Sequence, residues 1–238
     1  SLRSDPPDPM NLLGTREAFS YPRFADYRAA VQRACPAVNV AALIGHTALR
    51  SNHMDDLHRT ARPYEIAAMR VQLQESLEAG ALGLSTGLAY ASAFNAETDE
   101  VLQLTQELTA YGAVYTTHLR SEFEPVLEAM DEAFLIGREA RVPVIISHLK
   151  CAGAGNWGRS PQLLAALEAA AKDHPVGCDC YPYAASSSTL DLKQVTDAFR
   201  ITITWSTPHP HMGGRDLQDI AAEWGVSLMD AARRLQPA

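Results

Sequence analysis

Two short apolar runs, rich in β-branched residues, each lead to a histidine. The first is Val114-Tyr115-Thr116-Thr117-His118, the second Val142-Pro143-Val144-Ile145-Ile146-Ser147-His148-Leu149-Lys150, with a polar, helix-forming segment between them. The two histidines stand about 30 residues apart, the length of one strand–helix–strand unit. Such a unit makes the strands parallel and neighbouring, so both imidazoles emerge at the same carboxyl edge of the sheet. That edge is where chemistry sits in parallel α/β folds. Two neutral imidazoles on adjacent strand ends are well placed to share a metal ion. A single strand-end histidine is more often only a hydrogen-bonded structural residue; the pair in register carries the metal reading.

The rest of the chain repeats the same alternation. Residues 1–14, with Pro6, Pro7, Pro9 and Gly14, form an irregular lead-in. A helix is expected over 24–35, where Phe24, Tyr27 and Val31 share a face. A buried strand is expected over 38–46, ending in Gly45-His46, and a loop with one helical turn over 51–61. His46 is a third strand-end histidine, better read as support for its loop. Ile66, Met69, Leu73 and Leu77 predict a helix over 64–78, with Gly80 past its end. A strand over 81–88 follows, its glycines implying close backbone approach near the carboxyl edge. Thr98 is placed to cap a helix over 99–111, and a further helix spans 124–141.

After the His148 run comes a glycine-rich loop, 151–159, without a phosphate-loop pattern. A helix capped by Ser160 is expected to about 171, then a strand over 176–181. Five strand–helix alternations without successive hairpins point to a parallel α/β sheet or barrel. A (β/α)8 barrel needs about 250 residues, and eight strands are not found. Beyond Leu190 the pattern thins to a loop and helical tail: a strand-like 201–205, the His209-Pro210-His211 string in a turn-rich loop, and amphipathic helices over 217–224 and 228–235.

Composition narrows the partners. With 47% hydrophobic residues among 238, the chain has material for one large core. Its net charge of −8 argues against nucleic acid or an anionic membrane as the main partner, and no apolar run is long enough to span a bilayer. The four cysteines, Cys35, Cys151, Cys178 and Cys180, have no disulfide-scaffold density. Reduced, buried thiols in a cytoplasmic protein are expected. Cys178-Asp179-Cys180 does not have the CxxC spacing of a metal-binding pair.

Several motifs, taken jointly and in order, resemble the zinc-dependent N-acyl-D-amino-acid deacylases, or D-aminoacylases, of the amidohydrolase superfamily. They are Gly83-Leu84-Ser85-Thr86-Gly87-Leu88, Thr117-His118-Leu119-Arg120, Ile146-Ser147-His148-Leu149-Lys150, Asn156-Trp157-Gly158-Arg159-Ser160 and Tyr181-Pro182-Tyr183. Gly45-His46 with Leu49-Arg50, Ile203-Thr204-Trp205 and Gly214-Arg215-Asp216-Leu217 add support. The resemblance covers nearly everything after Ala18. It implies hydrolysis of the amide of an N-acyl-D-amino acid, a small-molecule substrate, by water activated on one or two Zn2+ ions. Carried over, His118 and His148 are zinc ligands, while Lys150, Tyr181 and Ser187 hold the substrate's α-carboxylate. Lys150, two residues past His148 on the same strand line, points to the same face.

The family's first-strand HxH pair, its cysteine ligand and its aspartate general base have no counterparts here. Residues 1–238 are therefore expected to be the central portion of one barrel domain, about half of such an enzyme and equivalent to strands three to seven, not expected to be active by themselves. The alternatives are an inactive or truncated paralogue that only binds metal or a partner, and another amidohydrolase of dihydropyrimidinase-like or dipeptidase-like type.

Overall fold

The computed structural model describes residue 2 and residues 5–238. The chain divides into two compact units, one of residues 1–152 with 158–181, the other of residues 153–157 with 182–238.

In the first unit, α1 (Phe24–Ala34) precedes β1 (Ile44–Gly45), α2 (His46–His53), α3 (Pro63–Glu78) and β2 (Gly83–Gly87). Then come α4 (Thr98–Gln106), which runs into a 3-10 turn, β3 (Val114–His118), α5 (Val126–Ala140), β4 (Val144–Ile146), α6 (Ser160–Ala170) and β5 (Val176–Cys178). Among the described residues the five strands form one sheet in the order β1-β2-β3-β4-β5, every pair parallel. Strands adjacent in sequence are adjacent in space, each joined to the next through a helical crossover. This is the α/β arrangement that the two histidine-bearing runs demand.

The alternation in β3 sorts its side chains. Tyr115 and Thr117 are buried while Val114, Thr116 and His118 are only half-buried. Tyr115, Leu84, Val144 and Ile146 join Met69 and Leu73 of α3, Leu104 of α4 and Met130 and Ile136 of α5 in one apolar core. Inside that core the Thr86 hydroxyl donates to Thr117 Oγ1 at 2.8 Å and lies 3.0 Å from the Tyr115 hydroxyl, so the buried oxygens satisfy one another. The opposite face carries His118.

Several expected boundaries move. β1 is only two residues long and Val38, at 71% exposure, lies outside it; this run has a strand neighbour on one side only. His46 does not end a strand but opens α2, a helix absent from the sequence expectation. Thr98 is the first helical residue and not the cap; its hydroxyl donates to Glu132. Ser160 likewise lies inside α6. Close approach falls at the amino end of β2: a Cβ on Gly83 would lie 1.9 Å from the Val114 carbonyl oxygen. The thiols of Cys35, Cys178 and Cys180 are exposed and that of Cys151 is half-buried, all four free. Cys35 caps the surface helix α1, and Cys178 sits on β5, which has a strand partner on one side only.

The second unit holds a two-stranded antiparallel sheet, β6 (Thr202–Ile203) with β7 (Arg215–Asp216), and the helices α7 (Leu217–Trp224) and α8 (Leu228–Leu235). Ile203, Leu217, Ile220, Ala231 and Leu235 make its core. Among the described residues no helix is long and apolar enough to cross a membrane.

Candidate metal centre

β3 ends at His118 and β4 ends two residues before His148, so the parallel pairing delivers both imidazoles to one edge. Their nearest ring nitrogens, His118 Nδ1 and His148 Nε2, are 2.9 Å apart, and the rings meet edge to face. Tyr90, in the turn after β2, lays its ring 5.0 Å from that of His118. Gly87 makes room for it, since a Cβ there would fall 2.8 Å from the Tyr90 ring.

A third residue completes the cluster. Glu122 comes from the loop between β3 and α5, four residues past His118. Its Oε1 lies 3.0 Å from His148 Nδ1 and 4.0 Å from His118 Nε2, and it accepts a short hydrogen bond from the Lys150 ammonium. Ala152 N–H donates to the Glu122 carbonyl at 2.7 Å, tying this loop to the one that follows β4. His118, Glu122 and His148 each offer a donor atom, all within 4.8 Å of one another. Sequence reasoning missed Glu122, because a glutamate in a polar loop carries no period; its spacing of four from His118 was the one available signal.

The electrostatics keep His118 and Glu122 in ligating form. Burial pushes the His118 ring down to about 4, against the pull of Glu122 and with the Lys150 charge adding to it, so the ring is neutral at pH 7. Burial raises the Glu122 carboxyl, but the hydrogen bonds from His148 and Lys150 outweigh it and hold the group below its usual range. Two imidazoles and one ionised carboxylate form a nitrogen–oxygen donor set that suits zinc.

Lys150 reaches the cluster by a different route from the one its spacing implied. β4 stops at Ile146, and His148 takes φ +42°, so strand alternation does not run through to Lys150. The loop nevertheless brings Lys150 Nζ to 2.8 Å from His148 Nδ1 and 5.7 Å from the Tyr181 ring centroid. Ser187 lies exposed in the second unit and is not among the residues the first unit gathers. Asp179 follows the end of β5, and its Oδ1 accepts from the His148 N–H at 2.6 Å.

The other histidines serve elsewhere. His46 is buried at the start of α2 with Nε2 2.8 Å from Glu100. In the second unit His209 packs between His211 and Trp224, its ring 5.9 Å from the first and 4.8 Å from the second.

Comparison with known proteins gives a consistent picture. The model of the family described as "Amidohydrolase family" matches residues 4–238. A D-aminoacylase from Alcaligenes xylosoxydans xylosoxydans is 44% identical over 235 residues, which cover 99% of this chain and 49% of that protein. A D-aminoacylase structure described for its binuclear metal centre superposes with TM-score 0.93 at 44% identity, over all of this chain and 50% of that one. The N-acyl-D-glutamate deacylase of Bordetella bronchiseptica, solved with zinc and a phosphonate mimic of the tetrahedral intermediate, gives TM-score 0.89 at 40% identity, over 96% and 48%. The chain spans about half the length of the curated relatives it matches.

Proposed function

The chain belongs to the amidohydrolase family, and from that membership we propose that its chemistry is metal-assisted hydrolysis of the amide in N-acyl-D-amino acids, releasing a carboxylate and the free D-amino acid. The observation that carries the proposal is the convergence of His118, Glu122 and His148 at one sheet edge with Lys150 beside them. The relatives that align over nearly the whole chain are named for this reaction. The five parallel strands from Ile44 to Cys178 are then central strands of one barrel domain.

His118 and His148 would hold the ion, with Glu122 within reach of both. Bound there, zinc supplies a Lewis acid and a water of lowered pKa. The neutral His118 ring keeps a lone pair free for ligation at neutral pH. Among the described residues Lys150 provides the one lysine or arginine side chain bonded to this cluster, and it orients the substrate by its α-carboxylate, which shares the ammonium with Glu122. Tyr181, whose ring lies against the Lys150 ammonium, supplies a hydroxyl donor to the same carboxylate. The substrate is a small molecule, and nucleic acid and membrane are not partners of this site. Four free cysteines suit a reducing compartment such as the cytoplasm.

The test is metal content by elemental analysis of the purified chain beside His118→Ala and His148→Ala. About one zinc per chain in the wild type, lost in both variants, is expected. N-acetyl-D-amino acids should be cleaved in preference to their L-enantiomers by a metal-loaded protein that carries the whole barrel. A folded wild-type chain that takes up no metal, or cleavage indifferent to both histidines, overturns the proposal.

A further inference from the structure

Three non-glycine residues among those described have positive φ: Cys35, Arg141 and His148. The first two stand at the C-caps of α1 and α5, where a left-handed residue commonly ends a helix. His148, at φ +42°, ends no helix. Non-glycine residues are uncommon in that region, even though histidine enters it more readily than most, and such a residue persists where its surroundings determine it.

The surroundings here are one residue of the next strand line. Asp179 Oδ1 accepts the His148 N–H at 2.6 Å. The Asp179 carbonyl accepts the Leu149 N–H at 2.9 Å, and the Asp179 N–H donates to the Ile146 carbonyl at 3.1 Å. These three bonds bracket Ser147 and His148 on both sides. They continue the β4–β5 ladder past its last paired residues, Ile146 and Cys178, while the side chain takes up the one N–H that the left-handed turn swings out of the ladder. The turn sets the imidazole 2.9 Å from His118 Nδ1; a strand continued through residue 148 would not hold it there by the same bonds.

We infer that Asp179 is the positioning residue for His148: its carboxylate holds the left-handed turn that aims the imidazole at His118. The role is geometric, since the needed group is an oxygen acceptor and not a charge. The consequence for metal binding rests on the reading of His118 and His148 as ligands; the turn itself does not.

Asp179 is exposed, so replacing it removes an acceptor without opening the core. The experiment compares wild type, Asp179→Ala and Asp179→Asn by two readouts. In 15N-histidine-labelled protein without metal, the His148 amide should be downfield and protected from exchange in the wild type. It should lose both properties in Asp179→Ala together with the His118–His148 ring contacts, and keep them in Asp179→Asn, which retains the acceptor. Zinc affinity by competition titration should fall roughly 10- to 100-fold in Asp179→Ala, the usual effect of losing a group that orients a ligand, and recover in Asp179→Asn.

An unprotected His148 amide in the wild type overturns the inference without any variant. So do equal losses in Ala and Asn, or an unmoved His148 in Asp179→Ala. A wild type that shows the amide signature but binds no zinc refutes the metal reading and leaves the clamp standing.

Discussion

Replacing Glu100 by leucine strips the counter-charge from a guanidinium that has no access to water. Arg50 of α2 is fully buried and Glu100, in the first turn of α4, is 1% exposed. Arg50 Nη1 donates to both carboxylate oxygens at 2.7 Å, Nη2 to the carbonyls of Leu57 and Arg59 at 3.0 and 2.7 Å, and Nε to that of Ser92 at 3.1 Å. Burial pushes the Glu100 carboxyl up, yet the His46 hydrogen bond and the Arg50 charge outweigh it and keep the group ionised. Burial holds the His46 ring neutral. Its Nε2–H therefore donates to Glu100, and Nδ1 is left as a bare lone pair with no partner among the described residues.

Removing one member of such a buried pair costs about 3–5 kcal/mol, and losing the His46 bond adds roughly 1 kcal/mol. At about 2–4 °C per kcal/mol for a chain of this size, the melting midpoint should fall by roughly 10–20 °C. The assay is thermal and urea unfolding followed by circular dichroism, with Arg50→Met and the double variant closing the cycle. Because the singles each strand a charge that the double does not, the double variant should cost less than their sum by about 2 kcal/mol or more. Glu100→Leu within about 1 kcal/mol of wild type, or an additive cycle, would refute the reasoning.

Gly83→Ala places a Cβ 1.9 Å from a backbone oxygen of β3, so β2 and β3 must part; a loss of about 3 kcal/mol or more is expected. Gly177→Ala on β5 meets nothing within 4 Å and should be close to neutral in the same denaturation series. Hydrogen bonds from Arg59 hold the Glu65 carboxyl at about 2, against 4.5 when free. A lowered folded pKa means stability that is complete above pH 4.5 and drains away as pH falls toward 2. Arg59→Met should flatten the stability curve across that window, and parallel wild-type and variant curves would count against the pair. On the proposed reaction, Lys150→Met should raise KM by roughly 10- to 100-fold, the worth of one charge-assisted bond. A change confined to kcat would move Lys150 away from the substrate's carboxylate.

What was legible in the chain was what periodicity writes. β3 runs over Val114–His118, as its β-branched residues require, and α7 and α8 occupy the spans their apolar faces mark out. The elements that escaped owe their stability to distant partners. α2 has little apolar face, and is held by Arg50, whose carboxylate lies 50 residues away. Glu122 joins the histidines only because the β3–α5 loop folds back, and nothing in its neighbours' chemistry announces that. The most instructive case is the His148–Lys150 stretch. Strand alternation placed Lys150 on the same face as His148, and its ammonium does lie beside that imidazole, but the alternation ends at Ile146. The ring and the ammonium arrive through a left-handed turn whose oxygen acceptor sits 31 residues downstream. The spacing of the two histidines locates the site because parallel strands must end at a common edge. The aim of the side chains within it is decided where the ladder breaks, by a contact that no local pattern encodes.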